Sequence, residues 1–238
     1  MNLERLLYKR EVVFLLLWYL LDISKLNEGE YRKWYALMNQ SKKERVDGFR
    51  FDEDKKRTVF SEMLARLALA QKAACPPESI VFSTHANGKP YALGLDLEFN
   101  VSHCSRWVAC VVSDKPVGID LEEISPIPTR LVRYVCTDQE YAFVLGGNEA
   151  QVVDTLTNRG AVERFFRVWT AKEAFVKYSG KGLAWNVKQI PWKASTTHCV
   201  ILDECVLSIC YDSEDTSTIS QGNIAELLFN IDCDIVEA

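Results

Sequence analysis

The sequence predicts an α+β fold made of two similar units, each a long helix followed by several short strands. Apolar residues recur at three- and four-residue steps over 54–74 and 163–178, which is typical of helices that bury one face. Short apolar segments bounded by turn residues follow each of these helices. We therefore expect two subdomains, 1–115 and 116–238, in a pseudo-twofold arrangement, each with its long helix packed on a small, mostly antiparallel sheet.

Composition and charge exclude several classes of protein. The 238 residues are 48% hydrophobic and 26% charged, as in an ordinary globular protein. A net charge of −5 argues against a broad basic surface for nucleic acid. The longest apolar run, 12–21, is shorter than the ~20 residues of a membrane-spanning helix and predicts a buried strand. The 8 cysteines form no CxxC pair, which favours free thiols in a reducing, cytoplasmic protein.

The first half contains the predicted N-terminal unit. Its predicted elements are a strand at 12–21, a helical stretch at 28–38, a charged segment at 41–56, the long helix at 54–74, a strand at 80–82, a turn at 87–90 and strands at 99–103 and 107–112. Pro76 and Pro77 end the long helix, because proline cannot continue it.

The second half repeats this organisation. Its predicted elements are a strand at 117–121, a short helix opened by a capping box at 137–140, a polar loop or weak helix at 148–160, the long helix at 163–178 ending at Gly180, and strands at 200–202, 206–211 and 226–231.

The strand at 117–121 brings two carboxylates to one face. Alternate residues of a strand point the same way, so Asp120 and Glu122 project together while their neighbours enter the core. A hard divalent cation prefers such oxygen ligands. A solvated acidic strand edge explains the same pattern without a metal.

The second long helix places a carboxylate and an ammonium at the edge of its apolar stripe. Glu173 and Lys177 are four residues apart and share a helix face beside Trp169. The pair suits a charged reaction centre, and it is equally consistent with a simple ion pair on a helix surface.

These two segments together resemble the signature of the 4′-phosphopantetheinyl transferases. The matching segments are 118–122 (GIDLE), 169–177 (WTAKEAFVK), 180–183 (GKGL), 88–90 (GKP) and 99–103 (FNVSH). Chain length and the two-half organisation resemble the single-chain, Sfp-type branch of that family. Ser105 departs from the pattern, because relatives often have glycine there.

The resemblance implies transfer of the 4′-phosphopantetheine arm of coenzyme A to a serine of an acyl or peptidyl carrier protein, with 3′,5′-adenosine bisphosphate released. It implies that Asp120, Glu122 and Glu173 hold Mg2+ against the pyrophosphate, and that Glu173 or Glu122 takes the serine proton. Glu173 is the favoured base. Lys177 would lie near the α-phosphate and stabilise the leaving group.

The same resemblance implies a subsite for the nucleotide of coenzyme A in the first subdomain, with the metal and catalytic carboxylates in the second. The implied contacts are Lys42, Arg45 and Thr58 around the adenine nucleotide, and Lys89, Ser102 and His103 around the phosphates. For Lys42 and Arg45, a solvated run of charges is an equally good interpretation.

Other functions remain open at this point. The alternatives are a catalytically silent module that binds coenzyme A or carrier proteins, a metal-dependent phosphohydrolase or nucleotidyl transferase, and a structural protein. For the transferase, we expect an active site at the interface of the two subdomains and an active monomer. We expect the carrier to dock on 124–134, a linker that two prolines restrict, and the resemblance also implies carrier recognition in this region. The expected apolar contacts are Ile127, Leu131 and Tyr134, while Arg130 and Arg133 could bind acidic groups. A packed linker explains the same segment without a partner.

Overall fold

The computed structural model describes residues 15–147, 154–180, 186–190, 192, 197–202, 204–212 and 218–223. Within these residues the chain mixes helices with small sheets, so the predicted α+β class is confirmed. The α-helices are α1 (Glu28–Leu37), α2 (Gln40–Asp47), α3 (Asp52–Ala73), α4 (Thr129–Val135), α5 (Asp138–Leu145) and α6 (Arg159–Ser179).

The strands form two larger sheets and two hairpin-sized ones. In chain order they are β1 (Leu15–Asp22), β2 (Phe82–Thr84), β3 (Pro90–Ala92), β4 (Glu98–Cys104), β5 (Trp107–Ser113), β6 (Val117–Glu123), β7 (Ile127–Pro128), β8 (Thr155–Leu156), β9 (Thr197–Ile201), β10 (Cys205–Tyr211) and β11 (Thr218–Gln221). Short 3-10 helices lie at Ile23–Lys25, Pro77–Ser79 and Val187–Gln189.

Helix α3 packs on the first sheet, whose strand order is β11-β1-β5-β4. Its buried residues, such as Val59, Phe60 and Leu64, form one apolar core with Tyr19 of β1 and Phe99 of β4. The helix ends where Ala74 takes a left-handed conformation at φ 51°, just before the predicted proline stop. This core fixes the strand that carries Ser102 and His103.

Helix α6 packs on the second sheet, whose order is β6-β10-β9 and whose pairs are antiparallel. The side chain of Asn158 caps the helix by accepting from the amide of Ala161, which satisfies one free N–H of the first turn. Gly180 ends the helix at φ 64°, as predicted. The predicted capping box, between Thr137 and Glu140, opens α5.

The two larger sheets meet along a seam where β4 lies beside β6. Side chains rather than a backbone ladder join the two strands. Asn100 Oδ1 accepts from the amide of Ile119 at 2.9 Å, and Ser102 Oγ accepts from the amide of Leu121 at 3.2 Å. We use "seam" below for this β4–β6 contact.

Strand β11 links the two halves of the chain. It comes from the C-terminal half, yet it pairs in parallel with β1, with Leu15 opposite Thr218. The predicted boundary between 115 and 116 falls in the link between β5 and β6. The division into two subdomains stays a prediction. One strand of the second half, β11, belongs to the sheet of the first half.

Several predicted elements differ from the structure. The charged segment contains a helix, α2, which buries only Val46 and therefore shows little apolar periodicity. The strand expected at 80–82 begins at Phe82, because a 3-10 turn at Pro77–Ser79 precedes it. Of the strand predicted at 12–21, residues 12–14 lie outside the described residues, and so does the whole strand predicted at 226–231.

Candidate active site

Strand β6 holds the acidic residues at the edge of a core. Ile119 and Leu121 are fully buried between the sheets, so their neighbours Asp120 and Glu122 project from the opposite face. Asp120 is itself buried, with only 5% of its surface exposed. Glu122 is half-buried, and Glu123 at the end of the strand is exposed.

Helix α6 brings a second set of functional groups to this strand. The indole Nε1 of Trp169 donates to Glu122 Oε1 at 3.0 Å. One turn further on lies Glu173, and after another turn Lys177 reaches Asp120 Oδ1 at 2.7 Å. The two segments found in the sequence therefore face each other in the structure.

Gly118 allows this close approach of β6 and α6. A Cβ atom at this position would lie 2.1 Å from the carbonyl oxygen of Ala174 and 2.4 Å from the amide nitrogen of Tyr178. Both distances are too short for any side chain. The glycine of the GIDLE segment is thus needed for the packing that puts Glu173 and Lys177 beside Asp120.

Asp120, Glu122 and Glu173 repel one another, because three negative charges lie close together. Burial, and then the charge of Asp120, raise the pKa of Glu122 above its usual range, although the Trp169 hydrogen bond opposes the shift. Burial and the charges of Asp120 and Glu122 likewise raise the pKa of Glu173. Lys177 lowers both pKa values and relieves only part of this repulsion.

The carboxylates suit a divalent cation by their chemistry. Asp120 Oδ2 is buried and has no hydrogen-bond partner among the described residues. A buried carboxylate oxygen without a partner is costly, and a hard cation would satisfy it. Among the described residues, no three or more His, Cys, Asp or Glu side chains are arranged closely enough to hold a metal ion. Mg2+ is therefore a proposal supported by the donor set alone.

Lys177 lies on the seam itself. Its Nζ donates to Asp120 Oδ1, to Ser102 Oγ at 3.0 Å and to the carbonyl oxygen of Ile119 at 3.0 Å. Ser102 Oγ in turn donates to Asp120 Oδ1 at 3.1 Å. The ammonium thus joins α6 to both strands of the seam, and Ser102 belongs to the same hydrogen-bonded network as the acids.

His103 lies at the exposed end of β4, next to a cationic neighbour. Partial burial and the guanidinium of Arg57 lower the pKa of His103. Arg57 Nη1 donates to the carbonyl oxygen of Ser105 at 3.0 Å and also pairs with Asp54. Ser105 adopts a left-handed conformation at φ 47°, which explains why glycine would suit this turn.

The other predicted nucleotide contacts are distributed over the first half. Lys42 Nζ pairs with Glu62 Oε2 at 2.6 Å, and Lys89 Nζ with Glu98 Oε2 at 2.9 Å. The hydroxyl of Thr58 donates to the carbonyl oxygen of Asp54, within its own helix. Arg45 lies over the ring of Phe49 at 6.0 Å. No hydrogen bond or ion pair found among the described residues joins these four side chains to Asp120, Glu122 or Glu173.

A turn from the first half nevertheless reaches the end of α6. Asn87 Nδ2 donates to the carbonyl oxygen of Gly180, and Asn87 Oδ1 accepts from the amide of Lys89 at 3.1 Å. Lys89 is therefore carried on a turn that contacts the helix bearing Glu173 and Lys177. Helix α6, which carries Glu173 and Lys177, is therefore contacted by residues from both halves of the chain.

Two contributors to the site were not predicted from the sequence. Trp169 was treated as part of an apolar stripe, but its indole binds Glu122. Lys172 is fully buried and donates to Glu140 Oε2 at 2.7 Å and to two backbone carbonyls, of Val135 and Val187. It ties α6 to the segment around α4 and α5. The sequence signal was their position alone: Trp169 is four residues before Glu173, and Lys172 directly precedes it.

Comparisons with known proteins agree with this geometry. A model of the 4′-phosphopantetheinyl transferase superfamily matches residues 116–222, and a model of the N-terminal part of such a transferase matches residues 26–115. The 4′-phosphopantetheinyl transferase Sfp of Bacillus subtilis (strain 168) is 31% identical over 160 residues, 67% of each chain. Another B. subtilis 4′-phosphopantetheinyl transferase is 34% identical over the same extent. A more distant relative, the L-aminoadipate-semialdehyde dehydrogenase-phosphopantetheinyl transferase of Xenopus laevis, is 27% identical over 184 residues, 71% of this chain and 58% of the relative.

The chain belongs to the 4′-phosphopantetheinyl transferase superfamily. The predicted family is therefore confirmed, and with it the prediction that the protein is a transferase enzyme. In the part of the chain that the structure describes, no helix is long and apolar enough to cross a membrane. The cytoplasmic location stays a prediction.

Proposed function

We propose that this enzyme transfers the 4′-phosphopantetheine arm of coenzyme A to a serine hydroxyl of an acyl or peptidyl carrier protein. The serine oxygen forms a bond to the β-phosphorus of coenzyme A, the bridge to the α-phosphate breaks, and 3′,5′-adenosine bisphosphate leaves. The observation that supports this best is the meeting of Asp120 and Glu122 with Glu173 and Lys177 at the seam, directly beside Ser102.

Glu173 is the proposed general base. A base must be within reach of the serine proton and must hold that proton readily. Burial and the neighbouring acids raise the pKa of Glu173, which makes its carboxylate a better proton acceptor than a solvated one. Glu122 also has a raised pKa, but its Oε1 accepts a hydrogen bond from Trp169, which stabilises the charged form. Glu122 therefore suits the role less well.

Asp120, Glu122 and Glu173 are the proposed ligands of Mg2+. When bound, the cation would neutralise charge on the pyrophosphate. Lys177 adds a positive charge at the same place and would stabilise the leaving phosphate. Because Lys177 pairs with Asp120 in this structure, we expect it to release part of that contact when coenzyme A binds.

Donor side chains along β4 are proposed to bind the nucleotide, with His103 and Arg57 near its C-terminal end and Lys89 beside Glu98 at its first residue. The 3′-phosphate of coenzyme A carries close to two negative charges at neutral pH. His103, with Arg57 beside it, offers donors at this edge, and Lys89 lies on the turn that contacts α6. Lys42, Arg45 and Thr58 are proposed for the adenine nucleotide, and Lys42 and Lys89 would exchange their present carboxylate partners for phosphate.

The direct test is modification of a carrier protein. An apo-carrier is incubated with coenzyme A, Mg2+ and this protein, and intact mass spectrometry follows the carrier. A gain of one phosphopantetheine group, lost in the Glu173→Gln variant, supports the proposal. Coenzyme A cleavage without carrier modification would indicate a phosphohydrolase. Binding of coenzyme A without any turnover would indicate a silent binding module. We propose that the monomer is the active form, since both sides of the seam come from one chain.

A further inference from the structure

The seam continues one step beyond the active-site residues. Asn100 and Ser102 of β4 both bond to the backbone of β6, and the next residue on the same face of β4 is Cys104. At this level of the second sheet, Glu123 of β6 pairs with Cys205 of β10. The sulfur atoms of Cys104 and Cys205 lie 3.7 Å apart. A thiol–thiol contact therefore takes the place that hydrogen bonds occupy at the two preceding steps.

The chain around the two thiols is held in place on both sides. Arg106, in the turn after β4, pairs with Asp22 at 3.3 Å and with Glu204 at 3.0 Å. Glu204 directly precedes Cys205, so this ion pair joins the turn that follows Cys104 to the residue that precedes Cys205. Cys205 is buried with 1% of its surface exposed, whereas Cys104 is half-buried. An oxidant from solution can thus reach Cys104 more easily than Cys205.

We propose that Cys104 and Cys205 form a redox-reactive dithiol that closes to a disulfide across the seam when the protein meets a small-molecule disulfide such as glutathione disulfide. One cysteine of the pair loses its proton and attacks glutathione disulfide, so one glutathione thiolate leaves and a mixed disulfide forms. The other cysteine then loses its proton and attacks the sulfur of the first, releasing the second glutathione. The protein gives up two electrons and two protons, and the glutathione disulfide is reduced to two thiols.

The expected consequence is a more stable seam. The two cysteines are 101 residues apart in the sequence, and a cross-link that closes a long loop restricts the unfolded chain strongly. The sulfur atoms lie 3.7 Å apart, so they must approach each other by less than about 2 Å to form the bond. Ser102 and Asp120 lie on the same seam, so the closed disulfide should hold the two sides of the active site together.

Chymotryptic mapping of the folded, full-length protein tests this proposal. Cleavage after Phe99, Trp107, Leu202 and Leu207 gives peptides 100–107 and 203–207, each with a single cysteine. After treatment with glutathione disulfide and blocking of the remaining thiols, we expect these two peptides as one linked species. The oxidised protein should melt about 5 to 10 °C higher than the reduced protein, and dithiothreitol should reverse the shift.

Matched variants separate this pair from the other thiols. Cys104→Ser changes a half-buried residue, and Cys205→Ala is a second variant that adds no polar group to the core. Each should lose the linked species and the oxidation-dependent shift while keeping a folded circular dichroism spectrum. Cys75→Ser and Cys199→Ser, at other half-buried cysteines, should keep both. If the wild-type protein gives no linked species, or if the linked protein melts no higher than the reduced one, the proposal is wrong.

Discussion

Lys177 Nζ lies 2.7 Å from Asp120 Oδ1, inside the group of carboxylates proposed to bind a cation. The ammonium compensates one of three acids that would otherwise repel each other. Asp120 keeps its second oxygen without a partner among the described residues. This relationship makes Asp120 important for the fold as well as for the reaction, because a buried charge that loses its partner costs stability.

The Asp120→Asn substitution tests both roles. It keeps the shape of the side chain and removes its charge, so Lys177 loses its ionic partner. We expect the rate of carrier modification to fall by at least about 100-fold and the free energy of unfolding by about 1 to 3 kcal/mol. Urea denaturation and a single-turnover assay measure the two effects. Glu123→Gln, on the exposed end of the same strand, is the control and should change neither. Near-normal turnover of Asp120→Asn would remove it from the proposed metal ligands.

The pKa of Glu173 predicts how activity and stability depend on pH. If Glu173 is the base, activity should fall on the acidic side as its carboxylate takes up a proton. The raised pKa of Glu173 applies to the protein without bound metal, and it governs the stability measured under that condition. Because the pKa is higher in the folded state, folding binds protons, and stability decreases as pH rises through the window between the unfolded and folded values.

Glu173→Gln should therefore raise the melting temperature above that window, by about 1 to 3 °C at pH 7.5 without added metal. The gain over wild type should vanish below about pH 3, where the wild-type carboxyl is neutral in both states. Scanning calorimetry at several pH values measures it. A variant less stable than wild type at pH 7.5 would contradict the unfavourable electrostatics assigned to this carboxylate.

Gly118 predicts a packing effect at the centre of the site. In Gly118→Ala, the new methyl group would meet the backbone of α6 at Ala174 and Tyr178, which cannot rotate away. We expect a loss of about 3 kcal/mol in unfolding free energy and a further loss of activity, because α6 carries Glu173 and Lys177. In the control, Gly48→Ala, the added Cβ would have no contact shorter than 3.4 Å, so this variant should stay near wild-type stability. Equal stability of the two variants would contradict the close approach.

The elements that sequence analysis predicted well are those whose signal is local. The long helices α3 and α6, the short apolar segments of β4 to β6 and the capping box of α5 depend on residues close in sequence, and the structure contains all of them. Helix α3 is buried on all sides over 59–70 rather than along one face. The polar helix α2 was missed because one buried residue leaves no periodic pattern. The pairing of β11 with β1 could not be predicted, since nothing in either strand specifies a partner about 200 residues away.

The candidate site divides in the same way. Strand alternation predicted Asp120 beside Glu122, and helix spacing predicted Glu173 beside Lys177; in the structure the charges within each pair interact. The contact of Lys177 with Asp120, and that of Cys104 with Cys205, are made between elements, so they depend on how the two sheets meet. Lys172 shows the limit most clearly, because a charged residue that is fully buried against Glu140 looks like a surface residue in the sequence.

Nucleotide recognition predicts a difference between two ligands. If His103 and Lys89 serve the 3′-phosphate, His103→Ala and Lys89→Ala should weaken binding of coenzyme A about 10-fold or more and leave 3′-dephospho-coenzyme A almost unchanged. Titration calorimetry with both ligands measures the difference. Arg32→Ala, an exposed cation on α1 that pairs with Glu28, is the control. Equal losses for the two ligands would assign these side chains to the pyrophosphate instead.

The segment proposed for carrier docking is regular secondary structure rather than the expected linker. It was expected to be a restricted linker, but Ile127–Pro128 forms a short strand and Thr129–Val135 the helix α4. Ile127 is buried in the core and offers no contact to a partner, contrary to expectation. Tyr134, with 69% of its surface exposed, lies with Arg130 and Arg133 on the exposed side of the helix.

The charge of this helix predicts how carrier binding responds to substitution. Carrier proteins are often acidic around the modified serine, while this enzyme has a net charge of −5, so attraction must come from a local surface such as Arg130 and Arg133. Arg130→Glu with Arg133→Glu should raise the KM for the carrier by about 10-fold or more and leave the KM for coenzyme A unchanged, because α4 would touch only the carrier. Steady-state kinetics with each substrate varied in turn measure the two KM values separately.

The control is Lys25→Glu with Arg32→Glu, an equal change of charge on exposed residues of the first half, which should leave both constants unchanged. If the control raises the KM for the carrier as much, the effect is one of net charge. If Arg130→Glu with Arg133→Glu changes neither constant, the carrier docks elsewhere.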